Sequence, residues 1–171
     1  MKGKEKTKNS EGNRKIDSIF PRTRRILEDK LQTTMSKLTD MYQQGVPWQH
    51  DAGGFHFDLR NLEAERSRLE AMLRNSEVVM PPKYPSVVAL GVKVALEIDG
   101  EGEIYMFGSQ LDALSLNNRA SGGQWLSTES PLGSYLLGKE VGATSTFKTP
   151  DGNKLNIKVV SISSIPEEEI T

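Results

Sequence analysis

Residues 125–162 read WLSTESPLGSYLLGKEVGATSTFKTPDGNKLNIKVVSI, and the second half of the chain is decided here. Ser130-Pro131 has the form of a helix start: a hydroxyl able to cap, then a proline at the first helical position, where a missing N–H costs little. The helix it opens is expected from Pro131 to Leu137, with Gly138 as its stop. Beyond it, Ala143–Phe147 and Leu155–Ile162 read as two strands folded back around Asp151-Gly152.

Working upstream, Val88, Leu90, Val92, Val94, Leu96 and Ile98 alternate with Ala89, Gly91, Lys93, Ala95 and Glu97, the period of a half-buried strand. Asp99-Gly100 is a turn, and Ile104–Phe107 reads as the partner strand. Residues 109–123 read as polar and irregular. The order β-β-α-β-β predicts an α+β domain with a twisted antiparallel sheet over residues 86–165. Met80-Pro-Pro-Lys-Tyr-Pro85 suits neither helix nor central strand, so residues 80–85 mark a linker.

Before the linker the period is helical. Leu27, Leu31, Met35, Leu38 and Tyr42 form one stripe, begun near Pro21 and stopped by Gly45 and Pro47. Leu59, Leu62, Leu69 and Leu73 form a second, with Arg66 in the seam and Glu70 placed to meet Arg74 on the outer face. Neither stripe can stand alone, but the two can bury each other as an antiparallel coiled-coil hairpin over residues 21–79. Residues 45–58 are its tip loop, residues 1–20 a basic, flexible arm, and residues 166–171 an acidic tail.

Composition narrows the function classes. Without cysteine there is no disulfide, thiol nucleophile or thiolate zinc site. No apolar run approaches the ~20 residues of a membrane span, and the lysine-rich N-terminus lacks a signal-peptide core. A cytoplasmic location with no membrane partner is expected. Residues 1–25 hold nine Lys/Arg against three acids, and residues 86–171 six against eleven. A basic arm ahead of an acidic domain suits either a solvated tail or nucleic-acid contact.

The segments "WLSTESPLGSYLLGKEVGATSTFKTPDGNKLNIKVVSI" and "LEAMLRNSEVV" closely resemble the GreA/GreB transcript-cleavage factors of bacterial RNA polymerase, over about residues 55–162. The resemblance implies an FKBP-like α+β domain docking on RNA polymerase at the rim of its secondary channel, with the helical hairpin projecting down that channel. It places the docking turn at Ser127, Glu129, Ser130 and Pro131. It implies a regulator of elongation that meets nascent RNA or DNA only indirectly. No cofactor is expected beyond the magnesium held by the polymerase, and the single stripe per arm argues for a monomer. An FKBP-like prolyl isomerase or chaperone is the alternative from another class; its pocket would need Tyr105, Phe107, Trp125 and Phe147.

The tip departs from the family pattern. Gre factors carry Gly-Asp-Leu-x-Glu-Asn, whose two carboxylates help to hold a second magnesium and a nucleophilic water. Aligned from Gly45, this chain has Val46 and Gln49 in place of those carboxylates and His50 in place of the asparagine. Two readings follow. Asp51 is a displaced carboxylate reaching the polymerase magnesium, with His50 as proton acceptor. Otherwise the tip has lost cleavage chemistry and contacts the channel through Trp48, Gln49, His50, Asp51, Phe55 and Phe57. A separate metal site from His50, Asp51, His56 and Asp58 is a weaker third idea, with two glycines among its ligands. The first arm also runs about ten residues short of the corresponding Gre helix, ~15 Å of rise. Either residues 10–20 extend it through a kink at Pro21, or the base of the hairpin is trimmed.

Overall fold

In the computed structural model of the chain, residues 16–45, 52–117 and 122–171 are described. Strand β1 (Asp17–Ile19) leads into helix α1 (Pro21–Gln44), which α2 (Ala52–Arg74) follows; β2 (Ser76–Val78) then pairs in parallel with β1. The second half contains β3 (Val92–Ile98), β4 (Glu101–Gly108), α3 (Gln110–Leu116) and β5 (Gln124–Ser127). It continues through α4 (Pro131–Leu136), β6 (Thr144–Lys148), β7 (Lys154–Ser164) and α5 (Glu167–Ile170). The α+β class and the helical hairpin agree with the sequence reading. No helix among the described residues is long and apolar enough to cross a membrane.

Pro21 occupies the first turn of α1, and Gly45 closes it with its N–H on the Met41 carbonyl. The buried residues of α1 are Thr23, Leu27, Thr34 and Leu38, and Leu27 packs with Leu69 of α2 in a cluster that Leu31, Met72 and Leu73 join. Met35 and Tyr42, expected in the seam, are 50% and 59% exposed. Leu27, Leu31 and Leu38 of the expected stripe stay buried or part-buried, and Thr23 and Thr34 join the buried set. Arg66 is half-buried and turns to Glu70, Nε to Oε1 3.6 Å, so Glu70 meets Arg66 on the preceding turn instead of Arg74.

The sheet has the order β5-β4-β3-β7-β6. The expected antiparallel sheet is mixed, because β5 runs parallel to β4. Asp99 and Gly100, both at positive φ (49° and 90°), make the tight turn that joins β3 to β4 with the strands' own twist. Val92, Val94, Leu96, Tyr105, Phe107, Ile157 and Val159 close one face against Leu136 of α4 and Phe147 of β6. Tyr135 of α4 donates its hydroxyl to the Thr146 carbonyl at 3.0 Å and stacks 5.0 Å from Phe147, fixing that helix on the sheet. Met106 points to the other face, where Phe20, Leu116, Trp125, Ile165 and Ile170 form a second core. The end of β4 is thus buried on both sides, although its sequence reads as a single short strand.

Three boundaries move. Ile19 and Phe20 are fully buried, so the part of the supposed arm 1–20 that is described here belongs to the folded base of the hairpin. Ala52–Asp58 are the opening turns of α2, so the tip loop 45–58 is cut short. Ile170 and Glu169 are buried, and Arg22 Nη1 donates to the Glu168 carbonyl at 2.9 Å. The acidic tail 166–171 is a docked helix whose apolar residue completes the second core.

Residues 109–117, read as irregular, hold α3. Ser109 caps it, accepting from the Asp112 N–H at 3.1 Å, while Asp112 Oδ2 accepts the Ser109 N–H at 3.0 Å. Asp112 Oδ1 accepts the Phe20 N–H at 3.0 Å, deep in the interior. One buried carboxylate therefore joins the start of α1 to the sheet domain. Replacing it leaves a buried N–H unpaired and removes a cap, so Asp112→Ala is expected to lower stability by about 3 kcal/mol in urea unfolding. Ser18→Ala, which loses only an exposed 3.3 Å bond to Glu77, should change it by under about 0.5 kcal/mol.

Burial, and then a hydrogen bond to Glu103, push the Tyr105 phenol up to about 12. The protonated phenol is the folded state's preferred form. Its stabilising contribution is complete below the ordinary tyrosine pKa of about 10 and is lost as pH rises toward 12. Phenolate absorbance should show a tyrosine titrating near 12 that is absent in Tyr105→Phe, and that variant should lose the corresponding pH dependence of stability.

Candidate functional site

The turn from Ser127 to Pro131 follows directly from β5. The Thr128 N–H donates to the Gly108 carbonyl at 2.9 Å, holding the turn against the end of β4. Ser127 Oγ accepts the Glu129 N–H at 3.1 Å. The Ser127 carbonyl accepts both the N–H (3.0 Å) and the hydroxyl (2.7 Å) of Ser130, whose Oγ in turn accepts the Gly133 N–H at 3.0 Å. Pro131 then starts α4. The side chains of Ser127 and Ser130 are spent on the turn itself, whereas Glu129 and Pro131 are exposed. Of the four residues expected to dock, two build the turn and two present it.

Gly133 shows how tightly the turn is closed. A Cβ there would lie 2.0 Å from the Ser127 carbonyl oxygen, so no other residue fits without moving the backbone. The far end of α4 is equally fixed: the Gly138 N–H donates to the Val88 carbonyl and the Val88 N–H to the Lys139 carbonyl, each at 2.8 Å. A rigid projection bearing a carboxylate is suited to reading a basic surface.

At the other end of the molecule, Trp48, Gln49, His50 and Asp51 lie outside the described residues. Phe55 is half-buried against His56, ring to ring 5.9 Å, and Phe57 is 66% exposed. His56 and Asp58 are two apart on α2 and so leave the helix in different directions. Those two do not converge on a metal, and the four-ligand idea loses its second half. Tyr42 Oη donates to Glu63 Oε1 at 2.5 Å, clamping the two arms near the tip; that bond foremost holds its phenol above the ordinary range. The isomerase alternative finds no pocket in its aromatics. Tyr105, Phe107 and Phe147 fill one core, and Trp125 lies in the other, 5.6 Å from Phe20.

The family model described as "Transcription elongation factor, GreA/GreB, C-term" matches residues 82–164, the sheet domain with its turn. Over this domain the chain is similar to the GreA/GreB family. Among curated relatives, "Transcription elongation factor GreA" of Staphylococcus carnosus is 30% identical over 105 residues, 60% of this chain and 62% of that one. Its counterpart in Geobacillus kaustophilus is 34% identical over 104 residues, 59% and 61% of the two chains. That in Clostridium beijerinckii is 39% identical over 101 residues, 56% and 59%. The match thus spans less than two thirds of these relatives' length. Among solved structures, GreA factor homolog 1 of Thermus thermophilus is 22% identical and covers 87% of this chain and 99% of its own, with a TM-score of 0.37.

The Ser109-x-x-Asp112 spacing before Leu116 was the signal for α3, a capping box readable from sequence. The role of Asp112 in holding Phe20 had no such signal, because the two residues are 92 apart. In the Gre-type turn, Gly133→Ala is expected to lower stability by about 3 kcal/mol or more through overpacking, and Ser130→Ala by about 1 kcal/mol through the lost cap. Urea unfolding of both variants checks this order.

Proposed function

We propose that this protein is a Gre-type regulator of transcription elongation. It docks on RNA polymerase through the turn at Ser127, Glu129, Ser130 and Pro131, places its helical hairpin in the secondary channel, and does not strongly stimulate transcript cleavage. It is no enzyme by itself; any cleavage belongs to the polymerase active site and its magnesium.

The observation that carries this reading is the pairing of Asp17–Ile19 with Ser76–Val78 immediately ahead of Pro21. A strand at that position cannot extend α1, which leaves a trimmed hairpin as the account of the short first arm. At ~1.5 Å per residue its 24 residues span ~36 Å. An arm trimmed by about ten residues carries its tip ~15 Å less deep, and residues 46–49 bring no carboxylate to replace the missing pair. Two-metal cleavage needs hard anionic oxygens at both the attacking and leaving positions. Phe57, exposed near the tip, suits contact with a channel wall instead.

The test is RNA cleavage in backtracked polymerase complexes over a magnesium series, with binding measured in the same samples. The expected result is binding without cleavage above the intrinsic rate, together with competition against an authentic GreA. Cleavage abolished by Asp51→Ala would overturn the reading and make the tip a rearranged catalytic one. Failure to bind polymerase would remove the docking turn as well.

A further inference from the structure

Where the hairpin meets the sheet domain, α1, α2 and α3 border a cleft of about 200 Å³. Leu27 of α1, Leu69 and Met72 of α2 and Leu111 of α3 give it an apolar floor, continuous with the cluster that joins the two arms. Leu114 stands at its rim, one helical turn beyond Leu111 and 72% exposed. An apolar cleft with an exposed apolar lip marks a contact surface. Its charged residues are Lys30, Glu65 and Arg68. Arg24 and Arg66, elsewhere on the same two helices, are each ion-paired with a glutamate. Lys30, Glu65 and Arg68 have no side-chain partner among the described residues. The cleft therefore presents two uncompensated cations against one carboxylate.

We propose that this cleft is a docking site for a segment of RNA polymerase that carries an acidic residue beside an apolar one. The apolar side chain packs on Leu114 and the floor, and the carboxylate lies between Lys30 and Arg68. The inference rests on the polymerase reading above and adds a second contact, at the joint of hairpin and sheet domain. Charge argues for the occupant: two cations on one cleft repel each other, and an anion between them removes that repulsion and gains from both. The chain holds no segment of its own for this place. Its acidic end, Glu167–Ile170, is already docked in the second core through Ile170. Residues 1–15 carry six Lys/Arg against two acids, residues 118–121 an arginine and no acid, and residues 46–51 join the far ends of the two arms. A second copy of the chain would bring the same two cations to a symmetric contact.

The experiment is equilibrium binding of the full chain to purified bacterial RNA polymerase at low and high salt, with circular dichroism as a fold control and gel filtration of the free chain. Lys30→Glu and Arg68→Glu are each expected to weaken binding about tenfold at low salt and less at high salt. Leu114→Ser should weaken it about fivefold at both, because apolar burial is not screened by salt. Glu65→Gln reads the sign of the occupant: with an acidic segment in the cleft, removing the carboxylate should strengthen binding about twofold. All four side chains are exposed, so the fold control is expected to be unchanged. If the four variants bind like the wild type while Glu129→Lys weakens binding, the docking turn stands and the cleft fails as a site. If Glu65→Gln weakens binding, the occupant is not acidic and the proposal falls. If no form binds, the wild type included, both readings fall. A wild-type dimer that Leu114→Ser separates makes a second copy the occupant and overturns the proposal. So does binding of a single-stranded RNA oligonucleotide alone that Lys30→Glu abolishes.

Discussion

The hydrogen bond from the Phe20 N–H to Asp112 is the constraint on which the arrangement of the two halves depends. It lies where water cannot replace it, so its loss carries the full penalty of an unpaired buried N–H. Its carboxylate has a second duty in capping α3, and this bifunctionality is what transmits position. Wherever α3 sits on the sheet, Phe20 and the helix that begins after it must follow. Phe20 then packs on Trp125 and turns a polar anchor into an apolar joint.

Around that joint the molecule is built on a strand used from both sides. Tyr105 and Phe107 of β4 serve the core beneath α4, and Met106 between them serves the core that receives the hairpin. The turn from Ser127 to Pro131 hangs from the end of the same strand through the Gly108 carbonyl. That turn and both cores are thus tied to a few consecutive residues of one strand. This explains how so short a domain orients a projection many times longer than its own turn.

Much of this was legible in the sequence. The Val92–Ile98 alternation, the Asp99-Gly100 turn, the Ser130-Pro131 start and the Gly45 stop are local signals, and local geometry decided them. What failed was set by distant residues. The stripe through Met35 and Tyr42 is apolar enough to be a seam, but those two are exposed while the polar Thr23 and Thr34 are buried. Ile170 reads as part of an acidic tail because its destination, the pocket beside Phe20 and Leu116, is built by residues far away in the chain. Glu129 and Pro131 could be picked out only through the likeness of their surroundings to a known family, since a capped helix start by itself names no partner. Residues 46–51 carry the richest chemistry in the sequence, and there the reading remains one of sequence alone.

The parallel pairing of β1 with β2 has a consequence for the order in which the chain matures. Residues 17–78 close on themselves through the two helices, so the hairpin can assemble as soon as that stretch has been synthesised. Phe20 is then already placed at its base, but the surfaces that cover it, Trp125 and Ile170, are made later. A nascent hairpin therefore carries a naked aromatic at its foot until Trp125 and Ile170 have been made. Such an exposed patch is prone to wrong association, and the interval before α5 is made is the period when the chain most needs shelter.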